Sequence, residues 1–277
     1  MITDIIVKLE QDKAHDQALD YAVSIAEACD AHLTGVAFGD LGSIPDYAMP
    51  GLPTSIVDEM LAESEKAGRG AVARFEAAVK RSMLPSESHL ITRSQFGPVE
   101  AFAAKARNYD LSILRQSEDG AVNNDLLIEA ALFDTGRPVV VVPYIQKTGL
   151  KLDRVVCCWD GGTAATRAIN DALPLLKKAK VVEVLIFSNE KGRRQQREIP
   201  GMDIANHLAR HKIKIELRTV PAGGIDIADS ILSYVADNSA DMIVMGGYGH
   251  SRLREFVLGG VTRGILSTMT IPVFMSH

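Results

Sequence analysis

The chain has 277 residues, of which 47% are hydrophobic and 23% are charged, and its net charge is -5. These values are typical of a globular protein and exclude a disordered or coiled-coil chain, while the length allows one large domain or two small ones. The few aromatic residues and the negative charge favour neither nucleic acid nor an anionic membrane as a partner.

Cysteine content and apolar segments indicate the compartment. Three cysteines, Cys29, Cys157 and Cys158, are too few for a disulfide framework and fit a reducing environment. Apolar segments all fall short of the roughly 18–20 residues that span a bilayer, and the residues after Met1 show no basic flank or secretory leader. We therefore expect a cytoplasmic protein with no membrane partner.

Apolar and amphipathic segments alternate through the first half of the chain. The apolar segments predict strands at residues 5–9, 32–38, 89–93, 111–114 and 139–142. Helical patterns cover residues 12–28 and 56–80, and the segment before the second of these is rich in proline and predicts a loop. Residues 144–152 predict a linker.

The second half repeats this alternation. Its predicted strands are residues 154–159, 181–187, 213–220, 241–245 and 272–275. The first helix, predicted at 163–178, has one apolar face, formed by Ala165, Ala168, Ile169, Ala172, Leu173 and Leu176. A later helix has another, formed by Ile227, Ile231, Leu232 and Val235. Continuous apolar strands with helical crossovers predict a parallel sheet that is covered on both faces.

The two halves are similar in sequence order. When the chain is shifted by 150 residues, Glu10 falls on Asp160 and Ala18 on Ala168. This internal repeat predicts two related domains, 1–145 and 152–277. We expect each to be an α/β domain of three layers with a five-stranded parallel sheet. The terminal strands of the two domains are expected to pair, which would form an intramolecular pseudo-dimer, and a homodimer of two chains is a further candidate.

Glycine-rich segments follow two strands of the second half. Asp160-Gly161-Gly162 follows the first strand, and Gly246-Gly247-Tyr248-Gly249 follows the fourth, with Gly259-Gly260-Val261-Thr262 opening a helix nine residues later. Ligands of parallel sheets bind beyond the carboxyl ends of the strands, where strand order reverses. Glycines admit close approach of the backbone, and a helix start offers free N–H groups. The pattern suits a phosphate chain, with the Thr262 hydroxyl as a further donor.

This glycine spacing, together with Asp160 and Pro272-Val273, resembles the nucleotide-binding motif of the universal stress protein family. The whole chain is similar to a tandem, two-domain bacterial member. The resemblance implies domains of the adenine nucleotide alpha hydrolase-like fold and a site for ATP or ADP, with Mg²⁺ as a further candidate.

The resemblance also implies roles for individual residues. Cys158, Trp159 and Asp160 would lie against adenine and ribose, with Phe187 as a further candidate. The implied phosphate contacts are Gly246, Gly249, Gly259, Gly260, Val261 and Thr262, with His250, Ser251 and Arg252 beside them.

The sequence departs from the family pattern in two places. ATP-binding members usually carry Ser or Thr directly after the third glycine, where this chain has Gly260, so we expect weaker binding. In the first half, Arg115 and Glu118 stand opposite Gly246 and Gly249, and Asp125 and Leu126 stand opposite Gly259 and Gly260. We therefore expect the first domain to be degenerate and not to bind nucleotide in the family's way.

The function that the sequence favours is a nucleotide-binding stress-response regulator with its ligand in the second domain. One alternative is a slow ATPase, in which Asp160 or His250 orients a water. Another is a stress-induced interaction module without nucleotide, in which the glycine loop serves structure only. Separately, Asp160 is a candidate cap for the helix that starts near Thr163. We expect no catalytic residue set and no metal site, since His207 and His211 lack an acidic partner motif.

Overall fold

A computed structural model describes residues 1–11, 15–39, 53–92, 97–118, 124–188, 201–221, 224, 226–247 and 260–277. These residues form an α/β protein with ten strands and eight helices. They divide into two compact units. Unit 1 comprises Met1–Arg137 and Lys147–Gly149, and unit 2 comprises Pro138–Gln146 and Leu150–His277. The predicted α/β class is confirmed.

Unit 1 contains four parallel strands in the order β3-β2-β1-β4. The strands are β1 (Asp4–Lys8), β2 (His32–Phe38), β3 (Ser86–Ile91) and β4 (Leu111–Arg115). The helices are α1 (Gln17–Cys29), α2 (Thr54–Ser82), α3 (Pro98–Ala106) and α4 (Asp125–Phe133).

Unit 2 contains six strands in the order β5-β10-β9-β6-β7-β8. The strands are β5 (Val139–Val142), β6 (Arg154–Cys158), β7 (Val181–Ser188), β8 (Ile215–Pro221), β9 (Met242–Gly246) and β10 (Val273–Ser276). The helices are α5 (Thr163–Leu176), α6 (Met202–Arg210), α7 (Ile227–Asp237) and α8 (Gly260–Thr268). All neighbours are parallel except β5, which runs antiparallel to β10.

The strand order reverses at the same point in both units. In unit 2 the chain passes from β6 to β7 on one side and later returns to β9 on the other side of β6. In unit 1, β1 likewise lies between β2 and β4. The carboxyl ends of the two strands at such a reversal form the usual ligand crevice of an open parallel sheet. We call these two places the switch points of unit 1 and unit 2.

In each unit, a half-buried aspartate connects the two strands of the switch point at their amino ends by hydrogen bonds. In unit 1, Asp110 Oδ2 accepts hydrogen bonds from the backbone N–H groups of Thr3 (2.8 Å) and Asp4 (3.2 Å). In unit 2, Asp241 Oδ2 accepts one from the N–H of Arg154 (2.9 Å). Asp110 directly precedes β4 and Asp241 directly precedes β9, so the two aspartates have the same structural role in their units.

Helices cover both faces of the unit 2 sheet. Tyr234 of α7 donates a hydrogen bond to Glu183 Oε2 (2.9 Å), and Glu183 is in register with Val156 and Ile243. Gly246, three residues after Ile243, lies against α5. Since side chains alternate along a strand, α5 and α7 lie on opposite faces. The predicted three-layer arrangement is therefore observed in unit 2.

Several boundaries differ from the predictions for local reasons. Helix α1 begins at Gln17, not at residue 12, because Asp16 caps it by accepting from the N–H of Leu19 at 3.1 Å. Ile227 was predicted to be buried but is 41% exposed, since it is the first residue of α7. Leu173 is half-buried, whereas the rest of the predicted α5 face is buried.

Strand β5 pairs with β10, with Val141 opposite Val273 and Val139 opposite Met275. All four valines of β5 are fully buried. Strand β5 belongs to unit 2, so the two units contain four and six of the described strands. Within the described ranges, the model contains no helix that is both long enough and apolar enough to cross a membrane.

Candidate functional site

The turn after β6 is held by Asp160. Trp159 extends the ladder beyond β6, since its N–H donates to the carbonyl of Leu185 at 2.9 Å. Asp160 is exposed, and its Oδ1 accepts from the N–H of Gly162 at 2.8 Å. Gly161 adopts φ +79°, a conformation that favours glycine. The tight turn places the carboxylate shortly before α5, which begins at Thr163.

Gly246 is the last residue of β9, and its missing side chain leaves room for the first turn of α5. A Cβ at this position would lie 2.5 Å from the backbone nitrogen of Ala165 and 2.6 Å from the carbonyl carbon of Ala164. Both are backbone atoms, so they could yield only if the helix moved. The end of β9 therefore meets the helix that follows Asp160, and two motifs that are far apart in sequence lie together at the switch point of unit 2.

The other predicted contacts fall into two groups. Cys158 ends β6 and Phe187 lies near the end of the neighbouring β7, and both are half-buried. Helix α8 begins at Gly260, which is exposed, with Val261 half-buried and Thr262 only 3% exposed. Gly249, His250, Ser251, Arg252 and Gly259 lie outside the described residues.

The two adjacent cysteines at the end of β6 remain protonated thiols. Burial raises the pKa of Cys158 to about 12, and the nearby charge of Asp160 adds to the shift. Burial also raises the pKa of Cys157, with a smaller effect of Cys158. A thiol with a raised pKa is a poor nucleophile and a poor metal ligand at neutral pH. The switch point of unit 2 is therefore lined on this side by a neutral group.

The switch point of unit 1 is filled by charged side chains. Lys8, at the end of β1, forms an ion pair with Glu10 (Nζ to Oε1, 2.7 Å), and the two side chains are only 11% and 8% exposed. Asn124 joins them, since its Nδ2 lies 3.3 Å from Glu10 Oε1 and its Oδ1 lies 3.4 Å from Lys8 Nζ. Asp16 Oδ2 accepts from the backbone N–H of Glu10 at 2.8 Å. Burial raises the pKa of Asp16, although these backbone hydrogen bonds oppose the shift.

Arg115 extends this cluster at the end of β4. Its side chain is 5% exposed, Nε donates to Gln17 Oε1 (3.1 Å), and a terminal nitrogen donates to Glu118 Oε2 (2.9 Å). Asp125, at the start of α4, accepts from the Ser117 hydroxyl at 2.7 Å, and Leu126 is exposed. The predicted acidic residues thus bind partners within unit 1.

Part of this cluster was not predicted from the sequence. Lys8, Asp16, Gln17 and Asn124 were not identified as members. A lysine at the end of the apolar segment 5–9 was the available signal, because a charged residue that completes a buried strand needs a partner.

The described residues show no metal centre. Within the described ranges, no group of three or more His, Cys, Asp or Glu could hold a metal ion. His207 and His211 do lie together, with ring centroids 4.7 Å apart, and His207 Nε2 is 3.0 Å from Asn170 Oδ1. This pair lies on α6 and its C-cap, away from the turn after β6.

Comparison with known proteins finds a family domain in the second half of the chain and solved structures with a similar fold. A profile of the Universal stress protein family matches residues 151–277. Universal stress protein Slr1230 of Synechocystis sp. is 42% identical over 45 residues, which are 16% of this chain and 16% of that protein. The match therefore spans only about a sixth of that curated relative.

Solved structures extend the likeness to almost the whole chain. A universal stress protein from Archaeoglobus fulgidus DSM 4304 has a TM-score of 0.72 at 16% identity, with 98% of this chain and 97% of that chain covered. The functionally unknown protein PA1789 from Pseudomonas aeruginosa PAO1 has a TM-score of 0.63 at 14% identity, with 99% of this chain and 92% of that chain covered. Identities this low show the fold alone. Residues 151–277 therefore match a domain of the Universal stress protein family, and the chain has the fold of a solved universal stress protein.

Proposed function

We propose that unit 2 binds an adenine nucleotide, ATP or ADP, at its switch point and that occupancy of this site biases an interaction surface in a stress response. The observation that carries the proposal is the packing of Gly246. Its missing Cβ lets the end of β9 reach the first turn of α5, beside the Asp160 turn. This packing brings the end of β9 and the Asp160 turn together at the crevice where open parallel sheets bind their ligands.

The residues at the ends of β6 and β7 suit the base and the ribose. Cys158, Trp159 and Phe187 offer a neutral, half-buried surface for an adenine ring. Asp160 uses Oδ1 to hold the N–H of Gly162, which leaves Oδ2 as the acceptor for a ribose hydroxyl. A buried hydroxyl and a carboxylate form one of the stronger hydrogen bonds available to a protein.

The start of α8 suits the phosphates. Gly260 and Val261 present backbone N–H groups in the first turn of a nine-residue helix, where the helix dipole favours an anion. The Thr262 hydroxyl, Gly249, Gly259, His250, Ser251, Arg252 and an accompanying Mg²⁺ complete the proposed site as the family resemblance implies it.

Binding is tested through the single tryptophan, Trp159, which adjoins the proposed base site. Titration with ATP, ADP and AMP should change its fluorescence and saturate at one nucleotide per chain by calorimetry. Asp160→Ala should weaken binding about ten-fold, the value of one hydrogen bond to a charged group. Asp226→Ala is the matched control, because Asp226 caps α7 through the N–H of Ala228 in a similar way.

The outcomes separate the alternatives. If folded protein shows no heat of binding and no fluorescence change at millimolar nucleotide, the proposal is overturned. An interaction module without nucleotide is then favoured. Phosphate release at saturating ATP that Asp160→Ala abolishes would favour a slow ATPase at the same site.

Gly260 allows a test by gain of affinity. No atom of the described residues would lie within 4 Å of a Cβ at Gly260, so these residues leave room for a side chain there. Gly260→Ser restores the hydroxyl that ATP-binding family members usually carry, and we expect ATP to bind about ten-fold more tightly. Gly260→Ala should show no such gain, since it adds the same Cβ without the donor. Equal affinities for the two variants would argue against a phosphate at this helix start.

A further inference from the structure

Strand β8 lies at an edge of the unit 2 sheet. Within the described part of the chain its backbone pairs with β7 alone, over seven residues from Ile215 to Pro221. Each of these residues is half-buried or exposed. An edge strand has a row of N–H and C=O groups without strand partners, and such a row is a template for a further strand. The outer side of β8 is therefore a surface with which another strand can pair.

Alternate residues of β8 direct their backbone groups away from β7. The N–H of Val182 in β7 donates to the carbonyl of Lys214 at 3.1 Å, and Val182 is in register with Ile215. In a parallel pair this pattern repeats every two residues, so Glu216 and Arg218 also bond to β7. Three residues of β8 have outward N–H and C=O groups, namely Ile215, Leu217 and Thr219.

The charges on β8 make the strand complementary to a reversed copy of itself. Glu216 and Arg218 lie on the same face of the sheet, one on each side of Leu217, and their side chains are 43% and 53% exposed. A two-fold axis perpendicular to the sheet makes two β8 strands antiparallel. If the axis passes through Leu217, Glu216 of each copy lies opposite Arg218 of the other. An axis one residue earlier sets two glutamates opposite each other, and one residue later two arginines, which is destabilising.

We propose that β8 is a self-docking edge, through which unit 2 pairs with β8 of a second copy of this chain about a two-fold axis at Leu217. The outward backbone groups match this axis, because Leu217 exchanges both hydrogen bonds with its own copy and Ile215 does so with Thr219. In the single chain Arg218 donates to Glu216 Oε2 at 2.6 Å. The docked edge joins two such pairs into a group of four alternating charges. This association is independent of the proposed nucleotide site.

Sedimentation equilibrium of the full chain tests the proposal at protein concentrations up to about 1 mM. The unchanged protein should form a dimer that added salt weakens, since exposed charge pairs are screened. Glu216→Arg and Arg218→Glu should each raise the dissociation constant at least about ten-fold, because each replaces two attractive pairs with two repulsive ones. An equimolar mixture of the two variants should form a heterodimer, in which both pairs across the strands join opposite charges.

The edge strand of unit 1 supplies the matched control. Glu87 is an exposed residue of β3, and its carboxylate contacts His89 two residues later, as that of Glu216 contacts Arg218. Glu87→Arg changes the net charge by the same amount as Glu216→Arg. It should leave the dissociation constant unchanged, because it lies on the other edge.

A backbone variant serves where a charge variant does not fold. Thr219→Pro removes an outward N–H and keeps the bonds to β7, and proline is tolerated on edge strands. It should raise the dissociation constant, whereas Thr219→Ala should not. The proposal is overturned if the unchanged protein is a monomer at every concentration, which would leave the edge to another occupant. A dimer that both charge reversals leave intact, or that Glu87→Arg weakens equally, would also overturn it.

Discussion

The two switch points have the same topology and opposite contents. In unit 1 the strand ends carry Lys8 and Arg115, which are buried against carboxylates of the same chain. In unit 2 the matching strand ends carry Cys158 and Gly246, a neutral thiol and a residue without a side chain. The same fold thus forms a crevice in both units, and the two residues at the strand ends determine whether charged side chains of the chain fill it. The use of the crevice depends on these residues and not on the fold.

The charged cluster of unit 1 fixes the arrangement of side chains at its switch point. It adds little to the free energy of unfolding of the unit. Taking Lys8 and Glu10 out of water costs nearly as much as their attraction returns. Once both are buried, each needs the other, and Asn124 connects the pair to the start of α4. The cluster therefore makes the crevice of unit 1 rigid and sensitive to the loss of a single partner.

The largest expected effect contrasts Glu10 with its counterpart Asp160. Glu10→Ala leaves Lys8 buried without a carboxylate and should lower the free energy of unfolding by about 3–5 kcal/mol. Asp160→Ala removes an exposed hydrogen-bond acceptor from the turn before α5 and should cost only about 1 kcal/mol, since water can replace it at the Gly162 N–H. Urea unfolding followed by circular dichroism measures both values.

The double variant Lys8→Met/Glu10→Gln is the control for this contrast. It removes both charges and should recover most of the stability that Glu10→Ala loses. Similar costs for Glu10→Ala and Asp160→Ala would show that the two switch points do not differ in the way described.

The next effect concerns the thiol that replaces Lys8 in unit 2. Because burial and then Asp160 raise the pKa of Cys158 to about 12, alkylation at pH 8 should be at least about a hundred-fold slower than for a free cysteine. The direction of this pKa shift also determines how the free energy of unfolding depends on pH. The protonated thiol favours the folded state fully below the ordinary thiol pKa of 9.0, and this contribution is lost as the pH rises through about 12.

Mass spectrometry in a Cys29→Ser background follows this reaction, with urea-unfolded protein as the control. Asp160→Ala should speed the reaction, because it removes the negative charge that opposes the thiolate. Alkylation of the folded protein at the rate of the unfolded chain would contradict the assignment of a neutral thiol at this strand end.

The smallest expected effect is the difference in stability between alanine substitutions at Gly246 and at Gly260. Gly246→Ala forces a Cβ against the backbone of Ala164 and Ala165 and should cost about 1–3 kcal/mol. The Cβ of Gly260→Ala meets no atom within 4 Å among the residues that the structure describes, and the change should be neutral or stabilising by up to about 1 kcal/mol, since alanine favours a helix. Thermal unfolding of the two variants measures the difference, and equal losses would remove the special role of Gly246.

Much of the fold follows from local sequence patterns. Apolar runs such as 139–142 and 181–187 became strands within one residue at either end, because a buried parallel strand needs continuous apolar residues. The predicted strand at 89–93 was less accurate, and β3 begins at Ser86 instead. Its first residues are polar and exposed, so hydrophobicity gave no signal, and pairing with β2 set the start.

The site was predictable only in part, since its glycine and aspartate motifs are local whereas its packing is not. The spacing identified Gly246 and Asp160, but nothing local indicates that Gly246 would lie against Ala164 and Ala165. The cluster of unit 1 was missed for the same reason. Lys8 and Asn124 are far apart in sequence, and their contact depends on strand order and on the start of α4.

The pairing of β5 with β10 joins two segments that the ribosome synthesises far apart in time. Val141 leaves the ribosome long before Val273, its partner across the strand pair. Until β10 is synthesised, that edge of four valines offers unpaired backbone groups on a strongly apolar segment, which is a template for pairing with another nascent chain. Biogenesis of this protein should therefore depend on chaperones that shield the segment, and slow translation of the second half should raise the yield of aggregates.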